Sequence, residues 1–428
     1  MKNLFTFFGL FLLVVLFTSC QPETESGPSI PPADADNAGI ELPEGFGAIA
    51  VVDSLGRGRH IAVRDNGDIY VKMRRGDDGG IVALRDADGD GKAEQKEVFG
   101  DFGGTGIHIH NGYLYATSDT VVYRFKFEGD GLLPNTTPEV MVTGFINQRS
   151  HAGKTIAFDG AGNMYVNIGA PSNACMTEAR TAFSSGMDPC PHRDRQAGIW
   201  KFSDSKPGQT QEADGSRYAS GIRNAVALEW NNSANSLYAL QHGRDQLSGL
   251  WGDMFTDEQN AILPSEEFLQ IDEGDDFGWP YCYFDQLQGK KVLAPEYGGD
   301  GQKQERCEGI KPPILGFPGH MAPNDLLFYT GDQFPEAYRN GAFIAFHGSW
   351  NRAPLPQEGF FVVFVPMQDG KPSGDWEIFA NNFSQLEEVK NPGDAVYRPM
   401  GLAQGPDGSL YVSDSQKGKV WRIVYKPV

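Results

Sequence analysis

From about residue 45 onward the chain alternates short apolar runs with Gly, Asp and Asn, and one unit keeps returning. It is an apolar strand, a tight polar turn, then a strand that carries an aromatic residue. Copies occupy residues 61–70, 107–115, 156–165, 226–238 and 401–411, with a degenerate one at about 338–346. Runs this short with turn residues between them predict β-strands, and Asn66-Gly67, Asn111-Gly112 and Asp407-Gly408 supply hairpin turns. A lone hairpin cannot bury its faces, so six copies predict radial packing of four-stranded sheets. The expected fold is all-β, a six-bladed β-propeller over residues 45–428 with long loop insertions. The last strand, 418–425, is expected to close the ring. The copies are unevenly spaced, and inserts at about 170–220 and 246–325 are expected to be loops on one face, where a rigid scaffold presents a site.

Composition agrees with that reading. Gly 53, Pro 27 and 12% aromatic residues, against only 21% charged, suit a turn-rich β protein. The formal net charge of -20 repels phosphate backbones and anionic headgroups, which excludes nucleic-acid binding by general electrostatics. A local basic pocket for an anion remains compatible with it.

The N-terminus reads as an export signal. Lys2 precedes an apolar run from Leu4 to Phe17 that is too short to span a bilayer, and it ends Phe17-Thr18-Ser19-Cys20, like a bacterial lipobox. Residues 1–20 are thus expected to be a lipoprotein signal with Cys20 as the lipidated residue, anchoring an exported protein to a bacterial membrane. Residues 21–44, rich in Pro, Glu, Asp and Ser, are expected to be a disordered tether. Export to an oxidising compartment favours pairing of the four remaining cysteines. Proximity favours Cys175 with Cys190 and Cys282 with Cys307. The spacings hold no CxxC pattern, which disfavours a zinc site.

One acidic stretch has calcium-loop spacing. Asp86, Asp88, Asp90, Gly91, Glu94 and Glu97 match positions one, three, five, six, nine and twelve of such a loop. No helical pattern flanks it, so the expectation is a structural calcium turn ligated by Asp86, Asp88, Asp90 and Glu97.

Six runs occur in order: Ser150-His151-Ala152-Gly153-Lys154, Gly221-Ile222-Arg223-Asn224, Gln241-His242-Gly243-Arg244-Asp245, Phe277-Gly278-Trp279-Pro280, Phe346-His347-Gly348-Ser349-Trp350-Asn351-Arg352 and Tyr397-Arg398-Pro399. Together they resemble the soluble glucose dehydrogenase and sorbosone dehydrogenase family, which depends on pyrroloquinoline quinone (PQQ). The His-Gly-Ser-Trp-Asn-Arg run resembles the sorbosone branch most. The resemblance covers about residues 45–426 and implies roles for particular residues. His151 would be the base that takes the proton of a sugar hydroxyl, a task suited to imidazole. Arg223 and Asn224 would lie near the quinone carbonyls, and Arg352 and Arg398 would hold carboxylates of PQQ, for which Arg is the best-shaped cation. Trp350 would stack on cofactor or substrate. The backbone carbonyls of Gly243 and Arg244 would bind a calcium ion that polarises the quinone as a Lewis acid.

Two departures matter. Where soluble glucose dehydrogenases carry a second Arg two residues before the position of Arg398, this chain has Val396; where they carry an Asp after the Ile-Gly of the catalytic strand, it has Ala170. Glucose itself is therefore in doubt as substrate, and His151 lacks one orienting partner. The resemblance implies oxidation of an aldose or sugar aldehyde, with electrons leaving to a membrane quinone or a cytochrome. A calcium-dependent propeller lactonase and a non-catalytic carbohydrate- or protein-binding propeller stay open as alternatives.

Overall fold

The computed structural model describes, apart from Met1, residues 30–75 and 80–426. The expected signal and Cys20 lie outside them. Six blades, each built on four antiparallel strands, follow one another along the chain, and the second and third each add a short parallel strand at the outer edge. Each starts with an innermost strand: Gly58–Val63, Ile107–His110, Ile156–Phe158, Ala227–Asn231, Pro323–Phe328 and Pro399–Gln404. Each innermost strand pairs with the next strand in sequence, as the hairpin turns dictate. The ring closes between chain ends, because Phe46–Val52 joins the last blade as its fourth strand, with Phe46 opposite Tyr425 and Ala48 opposite Ile423. The expected closing strand is real, and it is the third strand of that blade.

The core sits between blades. Six hydrophobic clusters each join two neighbouring sheets, such as Ala62, Tyr70 and Ala83 against Ile107 and Leu114, or Ile61, Val71 and Val82 against Ala403 and Tyr411. A middle strand buries both faces this way, and Ala342–Phe346 is buried at all five positions. Such strands read as continuous apolar runs. Outer strands meet solvent, as Gln95–Phe99 does.

Three expectations need correction. The fifth hairpin pairs Pro323–Phe328 with Ala342–Phe346, so its first strand lies upstream of the degenerate copy. The inserts are shorter than expected, since Gly198–Ser203, Ser216–Ser220, Glu266–Ile271 and Leu315–Phe317 are blade strands. The expected tether ends early. Residues 31–44 belong to the propeller: Ala38 and Ile40 are buried in the core between blades five and six, and the Ala38 carbonyl accepts hydrogen bonds from Lys419 and Trp421. A polar composition hid two small apolar side chains that fill a gap there.

Both expected disulfides form, Cys175–Cys190 and Cys282–Cys307. They share one buried cluster with Trp279, Tyr281 and Leu293. The two inserts thus pack together as one cap. The Trp279 indole N–H donates to the Asn173 carbonyl (3.1 Å), and the Tyr281 hydroxyl accepts from the Cys190 N–H (2.9 Å).

Candidate functional site

In an antiparallel hairpin the start of the first strand lies beside the end of the second. At that end of the ring stand His151 and Lys154 ahead of Ile156–Phe158, Arg223 and Asn224 ahead of Ala227–Asn231, and Arg398 ahead of Pro399–Gln404. The second strands end there too, bringing Gly169 and Ala170, His242 to Asp245, and His347. Topology alone gathers the expected runs at one mouth of the channel.

His151 has a left-handed backbone (φ 51°), uncommon for a side chain with a Cβ. The turn is held by Gln148, whose side-chain amide donates to the carbonyls of Ser150, His151 and Gly169 at 2.8, 3.0 and 2.9 Å. The imidazole Nδ1 lies 2.6 Å from the Ala170 carbonyl oxygen. A carbonyl only accepts, so Nδ1 carries the proton and Nε2 keeps its lone pair. Burial, then the field of Arg223, push the ring down to about 3, so it is neutral at pH 7. Gly169 is required here, since a Cβ would stand 2.5 Å from Asn224 Oδ1 and 2.7 Å from His151 Cβ.

Arg223 is buried and engaged through Nε and Nη2. Nε donates to the Asn173 carbonyl (3.0 Å), and Nη2 reaches Asn173 Oδ1 and Asp245 Oδ2, both at 3.0 Å. Asp245 also pairs with Arg180 at 2.7 Å. Burial opposes its charge, yet Arg223 and Arg180 hold its carboxyl well below the usual range. Asn224 Oδ1 accepts from the Asn167 amide (3.3 Å). Beside His151 a cavity of about 160 Å³ opens, lined by Ser150, Pro171, Asn173, Met176 and Arg180 among others. A larger cavity, about 310 Å³, lies along the innermost strands toward their far ends, with His60, His108, Glu229 and Asp325 on its walls. It holds none of the gathered runs.

The Gly243 N–H donates to Glu266 (3.0 Å), as does that of Ala322 (3.1 Å). Burial raises the Glu266 carboxyl to about 7. The Gly243 and Arg244 carbonyls accept no backbone hydrogen bond among the described residues, which suits them to a cation. The Arg244 side chain points elsewhere, to buried Glu296 at 2.7 Å.

Arg398 donates to the carbonyls of His347 (3.0 Å) and Gly348, and to His347 Nδ1 (2.8 Å). His347 is therefore protonated at Nε2, which donates to Ser415 Oγ (2.6 Å). Arg352 departs from expectation. Its Nε donates to the Pro356 carbonyl (3.0 Å), Nη1 to the Ala261 carbonyl (2.6 Å), and Nη2 pairs with Glu358 (2.8 Å). It clamps its own loop rather than offering its fork to a carboxylate. Trp350 is 49% exposed at the rim, with Arg180 5.7 Å from its ring centroid.

This pattern of runs on a six-bladed ring can be compared with known proteins. A family profile described as TrAA12-like matches residues 40–426. The chain belongs to the TrAA12-like family. Among other relatives of this family member, an uncharacterized protein of Borreliella burgdorferi is 26% identical over 309 residues, covering 72% of this chain and 66% of its own length. The pyrroloquinoline quinone-dependent pyranose dehydrogenase of Coprinopsis cinerea is 28% identical over 236 residues, 47% of this chain and 30% of that enzyme. The chain thus spans under a third of the Coprinopsis enzyme's length. In three dimensions the TrAA12-like chain is similar to the holo PQQ domain of that pyranose dehydrogenase, with TM-score 0.72, 21% identity and coverage of 93% and 99%. The Trichoderma reesei family AA12 calcium structure also has TM-score 0.72, with 18% identity and coverage of 91% and 97%.

Sequence reasoning missed several residues of this mouth. Gln148 and Asn173 carry no motif signal, and the Ala170 carbonyl has no side-chain identity to read. The acidic loop, on blade one, is partly corrected. The carboxylates of Asp86, Asp88, Asp90 and Glu94 lie within 4.8 Å of one another. Glu97 is drawn into the outer strand opposite Ala83 and is not among them. A strand begins at Gln95, so the chain leaves the loop before its twelfth position.

Proposed function

We propose that this protein is a PQQ- and calcium-dependent dehydrogenase that oxidises an aldose or sugar aldehyde. The observation that carries the reading is a neutral imidazole, bonded through Nδ1 to a backbone carbonyl, that lines a cavity of about 160 Å³ beside a mouth rich in guanidinium groups. His151 takes the hydroxyl proton at Nε2 while the Ala170 carbonyl keeps the ring in the right tautomer. Arg223, anchored by Asn173 and Asp245, presents positive charge beside the reacting oxygen, and Asn224 Oδ1 stands with His151 against Gly169. Arg398 would hold a carboxylate of the cofactor, and the Gly243 and Arg244 carbonyls would hold calcium. PQQ, when bound, would supply a quinone that accepts the hydrogen of the sugar carbon as hydride, two electrons and one proton together. The relatives support this, since the Coprinopsis enzyme is named a PQQ-dependent pyranose dehydrogenase.

Electrons pass on to a membrane quinone or a cytochrome, and Cys20 lipidation holds the exported protein at a membrane. Cys20→Ser should move it from the membrane to the soluble fraction. The acidic loop binds a separate, structural calcium through Asp86, Asp88, Asp90 and Glu94. The dehydrogenase is tested by adding PQQ and calcium to purified apoprotein and following quinone absorbance and dye reduction across a panel of sugars. Sugar-dependent reduction only with PQQ present is the expected result. No cofactor uptake would overturn it.

A further inference from the structure

Arg398 lacks the companion Arg that Val396 replaces, and Arg352 is committed to its own loop. Of the expected pair a planar tricarboxylate would then meet only Arg398, whose Nη1 alone has no hydrogen-bond partner among the described residues. The fold brings another guanidinium. Arg59 lies at the start of the innermost strand of blade one, and Arg398 immediately precedes that of blade six. These strands abut closely: Ser413 Oγ, in blade six, donates to the Arg59 carbonyl (2.6 Å), and a Cβ on Gly401 would meet that oxygen at 2.9 Å. Arg74 follows the second strand of blade one, and its N–H donates to the Arg57 carbonyl (2.9 Å). Three guanidinium-bearing segments therefore converge.

Their charges are poorly matched. Arg74 pairs with Asp119 at 3.0 Å. Arg59 forms no ion pair among the described residues, and its Nε is buried without a hydrogen-bond partner. Burial and then the fields of Arg74 and Arg398 pull Arg59 down to about 9, with Asp119 alone opposing. Burial brings Arg398 down to about 10. An unpaired cation beside two others is costly unless an anion completes the set, and Arg forks select planar carboxylates.

We propose that Arg59, paired across the blade one–blade six junction with Arg398, is the second carboxylate-binding guanidinium of the cofactor site. This rests on the PQQ reading above and adds a residue from outside all six motif runs.

The experiment titrates PQQ, read by quinone absorbance, into calcium-loaded parent, Arg59→Met and Arg59→Lys proteins, and records melting temperatures with and without ligand. Expected is at least a tenfold weaker Kd for Arg59→Met, a smaller loss for Arg59→Lys, and an apoprotein of Arg59→Met that melts no lower than the parent. Equal PQQ affinity in parent and Arg59→Met overturns the inference. So does an Arg59→Met apoprotein with a lowered melting temperature, which would mark Arg59 as structural. A parent that takes up no PQQ overturns the cofactor reading instead. Benzene-1,2,4-tricarboxylate then tests the site itself: it should raise the melting temperature of the parent and not of Arg59→Met, and equal effects on both overturn the anion site.

Discussion

The Nδ1 of His151 lies 2.6 Å from the carbonyl oxygen of Ala170, at the position where the resembling glucose dehydrogenases carry an Asp. The backbone supplies the orienting partner that the side chain lacks. A carbonyl fixes tautomer and direction as a carboxylate does, but it adds no full negative charge to stabilise an imidazolium. Burial therefore dominates, and the ring stays neutral.

His151→Gln should keep fold and PQQ uptake while lowering turnover about a hundredfold or more, the scale of lost acid–base catalysis. Because His151 titrates near 3, the parent's rate should show no acid limb from this residue at pH 6 to 7. Steady-state kinetics from pH 5 to 9 check both; unchanged turnover in the variant removes His151 from the reaction.

Arg352→Ala should act on stability, not on the cofactor. It strips donors from the Ala261 and Pro356 carbonyls, a loss of about 1–3 kcal/mol. Its melting temperature should fall and its PQQ affinity should stay within about twofold of the parent. A large affinity loss without destabilisation would restore Arg352 to the cofactor site.

The disulfides enclose sequence separations of 15 and 25 residues. Chain entropy gives about 3 kcal/mol for the shorter loop and slightly more for the longer. The paired Cys282→Ser, Cys307→Ser variant should melt lower and show raised KM, since the shared cap loosens beside Asn173. Chemical denaturation and sugar titration measure the two effects.

Asp88→Ala should abolish calcium-dependent stabilisation at the acidic loop and leave turnover per folded molecule nearly intact, because the loop is on blade one away from the mouth. Glu94→Gln should weaken calcium there and Glu97→Gln should not. Melting curves with and without calcium decide; identical curves for parent and Asp88→Ala would leave only an acidic turn.

Acid should destabilise the protein progressively as pH falls below about 6.5. His108, His242 and His320 are pushed down to about 4 by burial, His151 to about 3, and His347 well below its usual value. Each lowered His makes the unfolded chain the stronger proton binder below pH 6.5, so stability is lost as pH falls. Glu229 and Glu266, raised to about 8 and 7, do the opposite: they gain stability as pH falls from 8 to 4.5, and that gain is complete below 4.5. Between pH 8 and 6.5 these two carboxyls act without the histidines, and from 6.5 down five histidines outweigh them. Urea midpoints at pH 4, 5.5 and 8 test this, and a midpoint at pH 4 equal to that at 5.5 would contradict it.

The propeller was legible because its causes are local and repeated. Hairpin turns such as Asn111-Gly112 and apolar strands on either side recur six times, and a ring is the geometry that buries every face. Cysteine proximity likewise predicted both disulfides. The mouth was legible only in part. His151, Arg223, Asn224 and Arg398 sit in recognisable runs, and strand direction carries all of them to one end. Partners were a different matter. The Ala170 carbonyl has no sequence signature, Arg352 looks like a cofactor ligand until Ala261 and Glu358 are seen to hold it, and Arg59 lies more than 300 residues from Arg398. Strand and turn depend on neighbours in the chain, so sequence alone determines them. Which guanidinium is left unpaired depends on groups from distant blades, and only the closed ring decides that.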